Sequence, residues 1–123
     1  MRETPYRSRP VVYFIQADMP GGRGPIKVGY MGNGEMWRRI KELQTGCPWD
    51  LKVIRCTPGT QANERWVHRE FGASRMRGEW FQFSADLVEY ALALPAASWV
   101  QLPTGSAHRP RADVVPLARR RSR

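Results

Sequence analysis

Glu64, Val67, His68 and Phe71 are spaced by three and four residues, which places all four side chains on one face of an α-helix. Val67 and Phe71 are apolar and must turn inward, so Glu64 and His68 lie at or near the edge of the buried side. A carboxylate there is costly unless it is paired, hydrogen-bonded or bound to a cation. Glu64 is therefore expected to form a flank pair with His68, pair with an arginine, or bind a metal ion.

Two further runs carry charged or aromatic groups. Arg38 and Arg39 are adjacent in a predicted helix, where an arginine fork suits a phosphate, although such a pair is usually a solvated face. The run 78–81, Gly-Glu-Trp-Phe, leads from a glycine turn into two aromatic residues. We expect it to be a structural plug with Trp80 and Phe81 packed on opposite sides, rather than a base-stacking platform.

The strands that would position these groups are visible as alternating or β-branched runs. Residues 11–16 have apolar side chains for both faces, which predicts a central strand. Residues 26–30 alternate, so that Lys27 and Gly29 project from one face and apolar side chains from the other. The short connection rich in glycine and proline favours an antiparallel hairpin, and residues 51–56 alternate as a third strand.

Helices are predicted at about residues 35–44, from 60 to about 71, and from 84 through 94. The expected N-caps are Asn33, Thr60 and Ser84. Residues 79–83 are expected to form a short aromatic strand or an extended segment. The element order is β-β-α-β-α followed by this segment and a helix.

Length and charge restrict the class of protein. The 123 residues suit one small domain, the formal net charge is +9, and no apolar run is long enough to span a membrane. The first nine residues are polar and lack the apolar stretch of a secretory signal, so an intracellular protein is expected. A net charge of this sign points to an acidic partner, most commonly nucleic acid.

More than half of the charge, +5, falls in residues 103–123, which hold three prolines and no periodic apolar pattern. We interpret this segment as a disordered arginine-rich tail that contacts phosphates, or else as a tail that aids solubility. The arginines expected to contact nucleic acid are Arg75, Arg77, Arg109, Arg111, Arg119, Arg120, Arg121 and Arg123.

Six short motifs, taken in order, resemble the GIY-YIG nuclease superfamily. They are Val11-Val12-Tyr13, Lys27-Val28-Gly29, Arg39 in its helix, Glu64, His68 with Phe71, and Gly78-Glu79-Trp80-Phe81. The resemblance covers about residues 11–87. It is to a divergent branch of short phage and bacterial proteins, in which the second motif reads K-[IV]-G and an E-x-x-x-H-x-x-F helix precedes G-E-W-F. A cytoplasmic location in a bacterial or phage-infected cell is the corresponding expectation.

The resemblance implies hydrolysis of a phosphodiester with one divalent cation, Mg²⁺. Glu64 would be the metal ligand, and Arg39 would stabilise charge on the phosphate. Tyr13 would orient or deprotonate the attacking water. His68, Arg38 and Tyr30 are candidates for auxiliary roles.

The sequence also departs from the family pattern. Val11 replaces the first glycine, and Lys27 replaces the tyrosine of the second motif. Lys27 is either a general base with a depressed pKa or a cation that contacts phosphate, in which case Tyr13 is the candidate base. His68 either positions water or phosphate or makes a structural hydrogen bond. Leu43 occupies a position where the family often has histidine or tyrosine.

These observations predict an α/β (α+β) fold with a small, central, mostly antiparallel three-stranded sheet flanked by helices. The expected organisation is a flexible N-terminus at 1–10, a GIY-YIG-like nuclease domain at 11–95, a linker at 96–102 and the tail at 103–123. The expected activity is that of a Mg²⁺-dependent endonuclease that cuts DNA by a one-metal mechanism with little sequence specificity, and the choice between DNA and RNA is left open. The alternatives are a non-catalytic nucleic-acid-binding module with the same fold and a small protein-interaction factor.

Overall fold

The structure is a computed structural model that describes residues 9–32 and 35–100. The arginine tail, the candidate cap Asn33 and the first eight residues lie outside the described residues. The strands are β1 (Val11–Ala17), β2 (Ile26–Met31), β3 (Leu51–Pro58), β4 (Arg75–Arg77) and β5 (Trp80–Phe81). The α-helices are α1 (Met36–Gln44), α2 (Gln61–Glu70) and α3 (Ala85–Ala93), and short 3₁₀ turns occupy Pro20–Gly22 and Gly72–Ser74.

All strand pairs are antiparallel, and the strand order across the sheet is β3-β1-β2-β5-β4. The predicted three-stranded sheet is present as β3-β1-β2, with β1 in the centre as expected. The sheet nevertheless has five strands rather than the predicted three, because β5 and β4 extend it beyond β2. Residues 75–77 are exposed and arginine-rich and carry no local strand signal, so only their pairing with β5 makes them a strand.

Both faces of the central strand are buried, and each face has its own core. On one face Val11, Tyr13 and Ile15 pack with Met36 and Ile40 of α1. On the other face Val12 and Phe14 pack with Val67 of α2 and Leu87 of α3. The mixed α+β fold therefore has helices on both sides of one sheet, and the site must be assembled across its layers.

Local signals explain where two of the helices begin. The Thr60 hydroxyl accepts a hydrogen bond from the Asn63 N–H, and the Asn63 side chain accepts one from the Thr60 N–H at 2.8 Å, which completes a capping box. Ser84 caps α3 by accepting from the Leu87 N–H at 3.2 Å. Helix α1 begins without a side-chain cap, since its N-cap residue is Glu35.

The segment after α3 packs on the sheet as far as it is described. Residues 96–100 are the described part of the expected linker at 96–102, and within them Ala97 is 1% exposed and its N–H donates to the Cys56 carbonyl at 2.8 Å. Trp99 packs against the same core, and the Arg9 guanidinium lies 4.8 Å from its ring centroid. Among the helices in the described ranges, none is long and apolar enough to cross a membrane.

Candidate active site

The Tyr13 side chain lies across the neighbouring strand, over Gly29. These two residues are paired between β1 and β2, and a Cβ added at Gly29 would lie 2.3 Å from both Cζ and Oη of Tyr13. No side chain other than hydrogen fits that position. The glycine of the second motif is thus required because it lets the Tyr13 hydroxyl reach over β2.

Tyr13 is 2% exposed, and the pKa of its hydroxyl is raised to about 12, chiefly by burial. The negative charges of Glu79 and Glu64 contribute to this rise, whereas the Arg39 guanidinium opposes it. These three charges come from the β4–β5 hairpin, α1 and α2, so groups from three elements converge on one hydroxyl. At neutral pH this hydroxyl is protonated and can donate a hydrogen bond.

Glu64 occupies the first turn of α2 and is only 7% exposed, as its helical spacing predicted. Burial raises the pKa of its carboxyl, the neighbouring Glu79 raises it further, and His68 lowers it. Glu64 Oε2 lies 3.4 Å from His68 Nε2, so the predicted flank pair is present. His68 Nε2 also lies 2.9 Å from the Val28 carbonyl oxygen, which is the structural hydrogen bond considered above.

Glu79 is a member of this cluster that sequence reasoning missed. Its Oε1 lies 2.9 Å from Lys27 Nζ, and its carboxyl group lies close enough to that of Glu64 to raise the pKa of the Glu64 carboxyl. The only sequence feature that could have indicated Glu79 was its position directly after Gly78 in a turn. Its partner Lys27 is 52 residues away in the sequence, so no local pattern links the two residues.

The edge of β2 explains why these elements meet. Strand β5 pairs with β2 only at Ile26 and Lys27, and the Val28 N–H donates to the Glu79 carbonyl at 3.0 Å. Beyond Lys27, β2 is no longer paired with β5, and the Val28 carbonyl is hydrogen-bonded to the His68 side chain instead. Helix α2 therefore approaches the sheet where the hairpin departs, which brings Glu64 to Glu79.

The two arginines of α1 have different environments. The Arg38 side chain is 66% exposed and its Nε lies 3.4 Å from Glu35, whereas Arg39 lies closer to the cluster, with its Nη1 3.9 Å from Glu42. Within the described ranges, Arg39 Nε is buried and has no hydrogen-bond partner. An open groove of about 660 Å³ runs beside these groups, lined by Tyr30, Glu35, Arg38, Arg39 and Glu42.

The aromatic pair at 80–81 packs as a plug, as predicted. Phe81 is fully buried in the core under α2 and α3, and Trp80 packs against the core on the α1 side. Across the sheet, Arg77 pairs with Trp80 and Trp80 pairs with Lys27, so these three side chains form a row. Arg75 instead binds its own turn, with its Nε donating to the Gly78 carbonyl at 2.8 Å.

Of the predicted site residues, Tyr13, Lys27, Arg39, Glu64 and His68 are brought to this cluster, while Tyr30 and Arg38 line the adjoining groove. Within residues 9–32 and 35–100, no group of three or more His, Cys, Asp or Glu side chains is arranged to hold a metal ion. The cluster therefore offers two adjacent carboxyl groups, two cationic side chains and one buried hydroxyl.

Comparison with known proteins gives one finding. The family model described as the T5orf172 domain matches residues 11–94, which include every strand and helix found among the described residues. Searches of curated proteins and of solved structures gave no significant match.

Proposed function

Because this chain belongs to the T5orf172 domain family, which is of a nuclease-associated class, we propose that it is a Mg²⁺-dependent endonuclease. It hydrolyses DNA phosphodiester bonds with one metal ion. The family points to a nucleic acid as the partner, and the positive net charge agrees with it.

One observation carries the proposal: the Tyr13 hydroxyl is buried among charges from Arg39, Glu64 and Glu79. A phosphodiester bond needs a cation for its developing negative charge, a ligand for a metal ion and a group that orients water. Arg39, Glu64 and Tyr13 are chemically suited to these three tasks. Their convergence from one strand and two helices is hard to explain by core packing alone, because buried charges cost stability.

The donor set fits Mg²⁺. This ion prefers oxygen ligands and is commonly held by one or two carboxylates together with substrate phosphate. Glu64 would hold it, and substrate phosphate and water would supply further oxygen ligands. When bound, the ion neutralises phosphate charge and makes a nearby water more acidic.

The side chains then have separate tasks. Arg39 has a buried Nε without a partner, and its planar guanidinium suits two oxygens of the scissile phosphate. Tyr13, with its pKa of about 12, donates a hydrogen bond that orients water or phosphate. Lys27 forms an ion pair at 2.9 Å, so the role of a phosphate-contacting cation fits it better than the role of a base.

Residues outside the cluster favour binding to the DNA phosphate backbone without strict recognition of the base sequence. Arg77 extends the row of Lys27 and Trp80 toward the sheet edge, where it suits a phosphate along the same strand of DNA. The arginine-rich residues 103–123 would add further phosphate contacts. Such contacts position a duplex but carry little sequence information.

The test is nicking of supercoiled plasmid with and without Mg²⁺, comparing the wild-type protein with Glu64→Gln. Glu70→Gln, the same change at an exposed position at the end of α2, is the matched control. We expect nicking to require Mg²⁺, to be lost in Glu64→Gln and to persist in Glu70→Gln. A single-stranded RNA of matched sequence, assayed in parallel, decides between DNA and RNA.

Equal nicking by wild type and Glu64→Gln would refute the proposal. The second candidate, a non-catalytic nucleic-acid-binding module, is favoured by one observation: the Glu64 carboxyl group already has a partner, because its Oε2 lies 3.4 Å from His68 Nε2. It would show salt-dependent DNA binding without cleavage, and Glu64→Gln would then bind DNA as well as or better than wild type.

A further inference from the structure

The backbone of Glu79 is held rigidly although its side chain is 41% exposed. Gly78 has φ +57°, a left-handed conformation that turns the chain between β4 and β5. The Glu79 carbonyl then accepts the Val28 N–H at 3.0 Å, and the Arg75 side chain holds the Gly78 carbonyl at 2.8 Å. These contacts of the β4–β5 hairpin thus fix the position of the Glu79 backbone, from which its side chain extends.

The Glu79 carboxyl group lies beside two residues of the candidate active site. It binds Lys27 Nζ at 2.9 Å, and it lies close enough to Glu64 to raise the pKa of the Glu64 carboxyl. The Lys27 side chain is only 13% exposed, and its Nζ lies 5.7 Å from the Trp80 ring centroid. The Lys27 ammonium group therefore has both a carboxylate and an aromatic ring beside it.

We propose that Glu79 is a positioning residue, whose carboxylate holds the Lys27 ammonium group at the sheet face so that Lys27 meets the scissile phosphate as a fixed cation. This inference rests on the proposed function and assigns to the same site a residue that acts through Lys27. A lysine has four rotatable side-chain bonds, and a cation held in one place needs no ordering when the phosphate arrives.

The proposal predicts opposite effects on binding and turnover for Glu79→Gln. Removing a carboxylate from a phosphate-binding site removes repulsion, so the KM for DNA should not rise. Lys27 loses its charged partner, so kcat should fall by about 10- to 100-fold, the range expected when a reacting geometry loosens. A loss of folding would instead reduce the amount of active protein and would appear in a denaturation curve.

The experiment is a double-mutant cycle with wild type, Glu79→Gln, Lys27→Met and the double variant, assayed for kcat and KM with Mg²⁺. If Glu79 acts through Lys27, Glu79→Gln changes kcat by less than about 2-fold once Lys27 is methionine. Glu79→Asp, which keeps the charge, should retain more activity than Glu79→Gln. Glu70→Gln again serves as the matched control, and it should match wild type in both parameters.

A second measurement does not depend on cleavage. The chain has three lysines, Lys27, Lys41 and Lys52, so ¹⁵N-lysine labelling yields three side-chain ammonium signals. Lys52 is a good internal reference because it also pairs with a carboxylate, at 3.2 Å from Asp18, but on an exposed surface. We expect the Lys27 signal to be the most ordered in wild type, to become mobile in Glu79→Gln, and to shift when a DNA duplex is added without metal.

The inference is overturned if Glu79→Gln lowers kcat equally in both backgrounds, raises kcat, or leaves the Lys27 signal ordered. If the wild-type protein does not cut DNA, the proposed function fails, and the DNA titration still decides the inference. In that case, a DNA-induced shift of the Lys27 ammonium signal that is absent in Glu79→Gln would support the inference. A Lys27 signal that does not change on addition of DNA would refute it.

Discussion

The placement of Tyr13 over Gly29 gives a sharp prediction for Gly29→Ala. The added Cβ would lie 2.3 Å from Tyr13 Cζ and Oη and 2.8 Å from Cε1, whereas carbon atoms in contact are normally about 3.5–4.0 Å apart. The ring must move by more than ~1 Å. Since Tyr13 is 2% exposed on the central strand, no free space receives it.

The expected cost follows from overpacking a closed core. Forcing one extra methyl group into such a site costs about 1–3 kcal/mol, and a value near 2 kcal/mol lowers the Tm by roughly 8–16 °C for a domain of this size. The substitution also moves the Tyr13 hydroxyl away from Arg39 and Glu64. The rate of DNA cleavage should therefore fall by a larger factor than the fraction of folded protein does. Urea denaturation and the nicking assay, run on the same preparations, measure the two effects.

Two comparisons isolate the cause. Gly72→Ala adds the same methyl group where no atom lies within 4 Å, so its free energy of unfolding should stay within ~0.5 kcal/mol of wild type or rise. In a Tyr13→Ala background the clash is absent, and Gly29→Ala should then cost less than ~1 kcal/mol. A Gly29→Ala protein with wild-type stability and activity would refute the ring placement.

Three further predictions concern buried or capping polar groups. Burial raises the pKa of the Glu64 carboxyl, so the wild-type protein loses stability as the pH rises through that pKa. Because glutamine does not titrate, Glu64→Gln should raise the free energy of unfolding more at pH 8 than at pH 5. An equal increase at both pH values would contradict this prediction. Arg55 Nη2 donates to the Leu92 carbonyl at 3.0 Å at the end of α3, so Arg55→Met should lower the free energy of unfolding by about 1–3 kcal/mol in urea titrations, and an unchanged midpoint would count against this role. Thr60→Ala removes the α2 capping box and should cost about 1 kcal/mol, read from thermal melts against Ser84→Ala as the comparable cap of α3.

Most elements were predictable because their signals are local. The run 11–16, the alternation at 26–30 and 51–56, and the caps Thr60 and Ser84 each act within a few residues, and the observed elements begin within a residue or two of the expected positions. The short strand at 75–77 was not predictable, because its three exposed residues become a strand only through pairing with β5. The packing of Ala97 likewise depends on the Cys56 carbonyl, which is far away in sequence.

The candidate site divides in the same way. Helical spacing was enough to place Glu64 and His68 on one half-buried face, and strand alternation was enough to put Lys27 and Gly29 together, since both follow from backbone periodicity. Whether Lys27 is a base or a paired cation depends on Glu79, a partner 52 residues away. No local pattern encodes that contact.

The sequence by itself therefore determined the order of the elements, the central position of β1 and the residues that each element presents to its faces. The tertiary structure alone decided which of those residues meet: the Tyr13 ring lies over Gly29, the Glu79 carboxyl group lies close to that of Glu64, and Glu79 forms an ion pair with Lys27. The physical reason is that periodicity selects a direction for each side chain, whereas a pKa or an ion pair depends on neighbours that only the packed sheet and helices bring within reach.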